Sequence, residues 1–214
     1  MSVAVAVFVK TPALSPVKTR LAAAIGPEAA LALYRASIDC VRAAVDASAL
    51  SAYWAVAEAG GAPHWSDWPV LLQPEGDLGA RMRGVYQQLI QRHPAVLLVG
   101  ADVPALSADL LGAAATGLQG AGRRVIAPAR DGGFVLFGAN VDLGQAPWSA
   151  VDYGSPGTAA AFLAQVGADL PLLRLPEQQD LDTLDDLRAL ITQPPAAPNA
   201  AQRAFWQLAQ SLIA

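Results

Sequence analysis

The positively charged side chains of this sequence are spread unevenly. Of its 14 lysines and arginines, only Lys10 and Lys18 are lysines, and both lie with Arg20 in one short segment. That segment directly follows the apolar run at residues 3–9, whose β-branched composition predicts a buried strand. A lysine ammonium is a compact point charge that suits phosphate. The segment therefore favours a phosphate site, and a solvated basic loop is the alternative interpretation.

Two acidic positions follow predicted strands in a similar way. Asp102 comes just after the apolar run at residues 95–100, and Asp182 belongs to an acidic segment that opens a predicted helix. A hard cation such as Mg²⁺ binds through one or two carboxylates and completes its shell with substrate phosphate oxygens. Asp102 is therefore a candidate metal ligand, with a turn or cap role as the alternative. Asp182 is a candidate second ligand, although a capping box that starts at Thr183 explains the same segment.

Two glycine-containing segments complete the set of polar loops. Residues 73–82 join a predicted strand to a predicted helix, and their backbone amides, with Arg81, could hold a base, a ribose or an acceptor. An ordinary N-cap at Asp77 explains this segment almost as well. Residues 131–133, Asp-Gly-Gly, predict either a tight hairpin turn or a pocket wall. If a nucleophile needs activation, Asp131 and Asp77 are the candidate bases.

The elements that must position these loops alternate along the chain. Short apolar runs predict strands at residues 3–9, 51–57, 70–72, 95–100, 125–127, 134–137 and 170–175, and residues 10–22 are predicted to be a loop. Three- and four-residue spacing predicts helices after residue 27, at 77–90, 107–118, 158–166 and 183–191, and near the end of the chain. This alternation predicts an α/β fold with a largely parallel sheet and helices on both faces. Ligands of such sheets bind beyond the carboxyl ends of the strands, where the polar loops lie.

The composition excludes several classes of protein. The chain has 214 residues and a net charge of -4, which suits a single domain without a basic surface for nucleic acid. Its longest apolar runs are far shorter than the roughly 18 residues that cross a bilayer, and it shows no signal peptide, so we expect a cytoplasmic protein. One cysteine and two histidines exclude an internal disulfide and a histidine-rich metal site. Residues 1–193 are predicted to form the domain, and residues 194–214 a proline-rich linker and a helix that packs back on it.

Seven short motifs, in order along the chain, resemble one family. They are Phe8-Val-Lys-Thr-Pro, Val17-Lys-Thr-Arg-Leu-Ala, Gly76-Asp-Leu-Gly-Ala-Arg-Met, Gly100-Ala-Asp-Val-Pro, Asp131-Gly-Gly-Phe, Trp148-Ser and Leu181-Asp-Thr. Together they are similar to the GT-A-like transferases called selenodomain-associated transferase 1, in the nucleotide-diphospho-sugar transferase superfamily, over roughly residues 1–191. More distantly, the basic motif and the two aspartate motifs resemble 2-phospholactate guanylyltransferase and molybdenum cofactor guanylyltransferase.

The resemblance implies a single GT-A-like domain, a three-layer sandwich that binds a metal-bound nucleotide at the carboxyl edge of its sheet. It implies that Lys18 and Arg20 contact phosphate, with Lys10 as a further contact. It also implies that Asp102 is a metal ligand and that Asp182 is the second ligand. The residues that it implies for the nucleotide or acceptor pocket are Gln73, Gly76, Asp77 and Arg81.

The residues and the resemblance together predict a transferase assisted by Mg²⁺ or Mn²⁺, with a nucleotide or nucleotide-sugar donor and a small-molecule acceptor. In this hypothesis the metal neutralises the diphosphate while Lys18 and Arg20 stabilise the leaving group. The family name favours glycosyl transfer, whereas three cations after the first strand favour a triphosphate and nucleotidyl transfer, so both reactions stay open. The alternative hypothesis is a nucleotide-binding protein of the same fold without turnover. It rests on Ser15-Pro16, where the family has a glycine-containing turn, and on Ala150, where Trp-Ser is normally followed by Thr.

Overall fold

The structure, a computed structural model, describes residues 2–166 and 169–213. Its strands are β1 (Ala4–Val9), β2 (Ser51–Val56), β3 (Val70–Leu72), β4 (Val96–Gly100), β5 (Arg124–Pro128), β6 (Phe134–Ala139) and β7 (Leu172–Arg174). Its α-helices are α1 (Thr19–Ile25), α2 (Pro27–Ser48), α3 (Leu78–Ile90), α4 (Ala108–Gly117), α5 (Ala146–Ser149), α6 (Thr158–Val166), α7 (Leu184–Thr192) and α8 (Ala200–Ile213), and a 3-10 helix spans Ala59–His64. None of these helices is long and apolar enough to cross a membrane.

The seven strands form one sheet in the order β3-β2-β1-β4-β6-β5-β7. The pairs β1–β2, β1–β4, β2–β3 and β5–β7 are parallel. Strand β6 is antiparallel to both β4 and β5, because the short connection at residues 129–133 makes β5 and β6 a hairpin. The predicted α/β class with a mostly parallel sheet is therefore confirmed, with one reversed strand among the described elements.

Helices cover both faces of the sheet. Side chains alternate between the two faces along a strand, and the fully buried Val5 and Val7 of β1 pack with α2 and α4. The neighbouring Ala4 and Ala6, also fully buried, pack with α3, α5 and α6 on the other face. These two cores make the predicted three-layer sandwich, and they explain why β1 reads as a continuous apolar run rather than an alternating one.

The last helix lies outside these layers. Helix α8 packs against α2 and α7, where Phe205 and Ala209 are fully buried in a third apolar cluster. The indole nitrogen of Trp206 donates a hydrogen bond to the main-chain oxygen of Leu190 in α7, at 2.9 Å. The chain after the proline-rich segment thus returns to the body of the protein.

Two helices differ from the sequence-based expectations. The loop predicted at residues 10–22 is wrong from Thr19 onward, where α1 begins. Helix α1 has seven residues and one buried side chain, Leu21, so it is too short to show a helical period in the sequence. Helix α5 has only four residues and escapes prediction for the same reason. The consequence of α1 is that Lys18 stands at a helix start rather than in the middle of a loop.

Candidate active site

A cavity of about 710 Å³ opens at the carboxyl ends of β1 and β4. These strands are neighbours, and the order of the sheet reverses between them, since β2 and β3 lie beyond β1 on one side and β4 on the other. Open α/β sheets bind ligands at such a switch point. The volume lies within the roughly 300–1,000 Å³ that is common for small-molecule sites. The cavity is therefore the first candidate for a functional site.

Three of the predicted site residues meet at one point of its wall. The Lys18 ammonium lies 2.7 Å from Oδ2 of Asp102 and 2.6 Å from Oδ1 of Asp182. The Lys18 side chain is only 6% exposed, whereas those of Asp102 and Asp182 are 31% and 43% exposed. Burial by itself lowers the pKa of Lys18, but the two carboxylates more than offset it, so this pKa is raised above its usual value. The lysine therefore stays charged at any physiological pH.

The backbone at Lys18 is unusual. Its φ of 47° and ψ of 44° place it in the left-handed region, at the N-cap of α1, where its side chain makes no capping hydrogen bond. For a residue other than glycine this conformation costs on the order of 1 kcal/mol or more and is frequent at functional sites. The two carboxylates hold the end of the same side chain.

The two aspartates reach this point by different local means. Asp102 follows β4, and a side chain at Gly100 would place a Cβ 2.8 Å from its Oδ1, so the glycine leaves room for the carboxylate. Asp182 precedes α7, whose capping box is formed by Thr183 and Asp186. Because Asp186 serves the cap, the Asp182 side chain is left to pair with Lys18. The capping box and the site therefore use different residues of the same acidic segment.

The other two predicted phosphate contacts also line the cavity. Lys10 is exposed, and its main-chain N–H donates to the Tyr34 hydroxyl at 3.0 Å, while that hydroxyl donates back to the Lys10 oxygen at 3.1 Å. Burial chiefly raises the pKa of Tyr34 to about 12. Arg20 is exposed, and within the described residues it forms no ion pair. Both cations are thus available to a ligand in the cavity.

Of the four residues predicted for the pocket between β3 and α3, three line the cavity. The Gln73 amide donates to the main-chain oxygen of Ala55 at 2.8 Å and so holds this loop to β2. Arg81 donates through Nε to the oxygen of Gly76 at 3.0 Å, and Gly76 has a φ of 123° that favours glycine. Asp77 is the N-cap of α3, and its side chain accepts a hydrogen bond from the N–H of Ala80. Among the described residues, Asp77 is not one of those that line the cavity.

The candidate base Asp131 lies in the hairpin between β5 and β6. Its Oδ1 accepts a hydrogen bond from the N–H of Gly133 at 2.8 Å, and its side chain is outside the described cavity wall. Asp180 lies near this position and was not among the predicted site residues. Burial first, and then the charges of Asp102, Asp131 and Asp182, raise the pKa of Asp180 to about 7. The signal in the sequence was its spacing of two from Asp182, which puts both side chains on one side of an extended segment.

The residues at the cavity fit a divalent cation only in part. Among the described residues, no group of three histidine, cysteine or acidic side chains could hold a metal. Two carboxylates nevertheless converge on one cation, the Lys18 ammonium. Mg²⁺ and similar cations bind with one or two carboxylates when a substrate phosphate supplies the remaining oxygens. Asp102 and Asp182 therefore fit such an ion as it would bind with a phosphate-bearing ligand.

Known structures share this fold. A candidate nucleotide-diphospho-sugar transferase from Desulfovibrio desulfuricans G20 is 25% identical, with a TM-score of 0.88 over 100% of this chain and 97% of the other. Rv0371C from Mycobacterium tuberculosis H37Rv, solved with manganese, is 15% identical, with a TM-score of 0.53 over 89% and 98% of the two chains. CMP:2-keto-3-deoxy-manno-octonic acid synthetase, solved with CTP, is 11% identical, with a TM-score of 0.53 over 90% and 99%.

These likenesses confirm the predicted nucleotide-diphospho-sugar transferase fold. No curated protein matches the sequence. Residues 35–155, more than half of the chain, match the DUF2064 family, described as an uncharacterized protein conserved in bacteria. The protein therefore belongs to the DUF2064 family.

Proposed function

We propose that this protein is a transferase that uses a nucleotide or nucleotide-sugar donor and is assisted by Mg²⁺ or Mn²⁺. The observation that carries the proposal is the meeting of Lys18 with Asp102 and Asp182 at the switch point of the sheet. The fold shared with transferases supports the general class. The manganese and CTP complexes of structural neighbours are consistent with a metal and a nucleotide.

In this proposal the donor's phosphates occupy the cavity that the three cations and the two carboxylates line. Asp102 and Asp182 hold the metal, which neutralises negative charge on the diphosphate. Lys18 and Arg20 stabilise the charge that develops on the leaving group, and Lys10 adds a third cation at the open side. All five side chains line the same cavity, so one bound donor can contact each of them.

The cavity-lining residues between β3 and α3 and at the start of α3 suit the nucleoside. Leu78 is 46% exposed and offers apolar surface to a base. Gln73, Gly76 and Arg81 line the same cavity. The guanidinium of Arg81 keeps donors beyond the Nε that bonds to Gly76. Asp77 supports this wall indirectly, because it caps the helix that carries Arg81.

The type of transfer decides what leaves the site. In nucleotidyl transfer the acceptor attacks the α-phosphorus and inorganic pyrophosphate leaves, whereas in glycosyl transfer it attacks the anomeric carbon and a nucleoside diphosphate leaves. Both leaving groups are diphosphates, so the same cations serve either reaction. Asp131 is the proposed base where the acceptor needs to lose a proton, since it is exposed and lies near enough to Asp180 for its charge to raise the pKa of that residue.

In this proposal residues 1–193 form the transferase domain, and the C-terminal segment that follows stabilises it. Helix α8 does so through its contacts with α2 and α7. None of its residues belongs to the described cavity wall.

One observation favours the second candidate, a nucleotide-binding protein without turnover. The loop between β1 and Lys18 is tightly held, because the N–H of Thr11 donates to Glu58 at 2.7 Å and the Thr11 oxygen accepts from Leu14 and Ser15. Pro16 adds a fixed φ to the same loop. A loop held in this way closes less readily on phosphate.

The test begins with binding. Thermal unfolding is measured with nucleoside di- and triphosphates and nucleotide-sugars, with and without Mg²⁺ or Mn²⁺, for wild type, Asp102→Asn and Asp109→Asn. A ligand at about 100 times its Kd adds roughly 2.7 kcal/mol of stability, which raises Tm by several degrees at about 2–4 °C per kcal/mol. Asp102→Asn is expected to lose the metal-dependent part of this shift. Asp109→Asn, which removes the same charge from the exposed start of α4, is expected to keep it.

Turnover then separates the candidates. The assay supplies small-molecule alcohols and phosphates as acceptors, and water is the acceptor for slow hydrolysis. Release of pyrophosphate from a bound triphosphate then indicates nucleotidyl transfer, and release of a nucleoside diphosphate from a nucleotide-sugar indicates glycosyl transfer. Binding without either product supports the protein without turnover. The absence of a metal-dependent shift with every nucleotide contradicts the proposal.

A further inference from the structure

We propose that the Lys18 ammonium pairs with Asp102 and Asp182 in the metal-free protein and that a divalent metal displaces it. The displaced ammonium then turns toward the donor's phosphates. This inference rests on the proposed function and specifies how its metal and phosphate sites are coupled. Lys18 belongs both to the predicted phosphate site and to the predicted metal site.

The geometry makes the two cations competitors. The Lys18 ammonium lies at hydrogen-bond distance from one oxygen of each carboxylate, at 2.7 and 2.6 Å. A divalent ion held by the same two oxygens would lie close to the ammonium. Such like charges repel strongly where water is scarce, and the Lys18 side chain is only 6% exposed. The ammonium must therefore move when the metal enters between Asp102 and Asp182.

The charges favour this exchange rather than a permanent ion pair. Two carboxylates and one ammonium leave a net charge of −1 at the cluster. A divalent ion turns the carboxylate pair neutral and frees the ammonium charge for another partner. The carboxylates are 31% and 43% exposed, so the metal reaches them from the cavity.

Lys18 has both the freedom and the place to move. It precedes the first turn of α1 and belongs to no strand, and its four-carbon stem can redirect the ammonium without moving the backbone. The lining of the same cavity includes Lys10 and Arg20, the two other cations proposed to contact phosphate. A released ammonium therefore joins two other cations in the cavity that a diphosphate would occupy.

The exchange couples the two ligands. A metal alone displaces the ammonium without giving it a new partner, whereas a metal with a nucleotide supplies the phosphates that receive it. Each ligand is thus expected to raise the affinity for the other, as linkage requires. Lys18 lowers the affinity for metal in the absence of donor, and it contributes to binding when the donor is present.

The first experiment measures binding of Mn²⁺ alone, by electron paramagnetic resonance of the free ion, to wild type, Lys18→Met and Lys10→Met. Methionine keeps an unbranched side chain without the charge. Lys18→Met is expected to bind Mn²⁺ at least about tenfold more tightly than wild type, within the roughly 5- to 150-fold range of coupled sites. Lys10→Met controls for the loss of one positive charge from the same cavity and is expected to change the affinity by less than about threefold. Equal or weaker Mn²⁺ binding by Lys18→Met overturns the proposal.

A second measurement uses the wild-type protein, because removal of a buried ammonium can impair folding. Reductive methylation of lysines is followed by mass spectrometry, with Lys10, the other lysine of the chain, as an internal reference. In metal-free protein Lys18 is expected to react much more slowly than Lys10. Saturating Mg²⁺ is expected to raise the ratio of Lys18 to Lys10 methylation several-fold. An unchanged ratio at a Mg²⁺ concentration that displaces bound Mn²⁺ overturns the proposal.

These outcomes separate the inference from the proposed function. If CTP, GTP or another nucleotide binds in a metal-dependent way while Lys18→Met gains no Mn²⁺ affinity, the exchange is wrong and the proposed function stands. If Lys18→Met binds Mn²⁺ tightly while no nucleotide binds either protein, the exchange is supported and the proposed function is wrong.

Discussion

Gln202 of α8 donates its side-chain amide to the main-chain oxygen of Pro104, at 3.1 Å. The same amide donates to the oxygen of Leu106 at 3.2 Å, and Gln202 is only 4% exposed. Pro104 lies two residues after Asp102, so the last helix of the chain fixes the turn that follows a proposed metal ligand.

Gln202→Ala is expected to destabilise the protein. It leaves two main-chain oxygens without their donor in a buried place, which costs about 1–3 kcal/mol and lowers Tm by several degrees. Urea unfolding of this variant and of Gln207→Ala measures the effect. Gln207 is exposed on the same helix, so its replacement is expected to change the unfolding free energy by less than about 0.5 kcal/mol. Similar losses of unfolding free energy in both variants would show that the Gln202 hydrogen bonds do not stabilise the protein.

Gly100→Ala is expected to impair binding at the site. The new Cβ would lie 2.8 Å from Oδ1 of Asp102, so the carboxylate must shift away from the position in which it meets Lys18. Mn²⁺ binding and the metal-dependent nucleotide shift should both weaken by about tenfold, which corresponds to roughly 1.4 kcal/mol. Gly112→Ala is the matched control, because a Cβ there meets nothing within 4 Å. It is expected to leave binding unchanged and to stabilise α4 by about 0.5–1 kcal/mol. Full Mn²⁺ affinity in Gly100→Ala would contradict the proposed role of Asp102.

Much of the fold follows from local pattern. Buried parallel strands are short, β-branched and apolar, and the predicted strand at residues 70–72 matches β3. The sequence also predicts the start of α7 at a Thr183 cap. It does not predict helices α1 and α5, because a single buried side chain or a single turn leaves no period to detect.

The contacts of the site depend on tertiary structure instead. Lys18 meets partners 84 and 164 residues away in the sequence, and only the sheet order brings these segments together. Its positive charge predicted a phosphate, and no local pattern indicates that carboxylates hold it. Tyr34 lies within the helix predicted after residue 27, and only the fold places its hydroxyl against Lys10 at the cavity.

Glu58 is expected to make stability depend on pH in the acidic range. Burial by itself raises the pKa of Glu58, but hydrogen bonds from Ser15 and Thr11 more than offset it, so the pKa is lowered below its usual value of 4.5. A carboxyl with a lowered folded-state pKa stabilises the protein above its unfolded-state pKa, and this contribution disappears as the pH falls through the folded-state value.

Thermal unfolding of wild type, Glu58→Gln and Glu75→Gln, measured between about pH 5 and pH 3, tests this dependence. Wild type and Glu75→Gln, whose exposed side chain lies in another loop, are expected to lose stability more steeply than Glu58→Gln. Parallel curves for all three proteins would mean that Glu58 does not fix the Thr11 loop through its charged form.

Asp182 and Thr183 are adjacent, but their replacement is expected to change different properties, metal binding for Asp182 and stability for Thr183. Thr183 belongs to the capping box of α7, with its hydroxyl accepting from the N–H of Asp186. Thr183→Ala is therefore expected to cost about 1 kcal/mol of stability and to change Mn²⁺ affinity by less than about twofold. Asp182→Asn leaves that capping box intact and removes one of two carboxylates that face the cavity. It is expected to weaken Mn²⁺ binding by at least about tenfold, because few other oxygens replace a lost ligand.

Denaturant unfolding and Mn²⁺ titration of the same two variants test this division. The expected result is a loss of stability without a loss of metal binding in Thr183→Ala, and a loss of metal binding with α7 retained in Asp182→Asn. Hydrogen exchange at the Leu187 amide, which donates to the Thr183 oxygen at 3.1 Å, reports whether the first turn of α7 is intact. Wild-type Mn²⁺ affinity in Asp182→Asn would contradict the proposed role of Asp182 as a metal ligand.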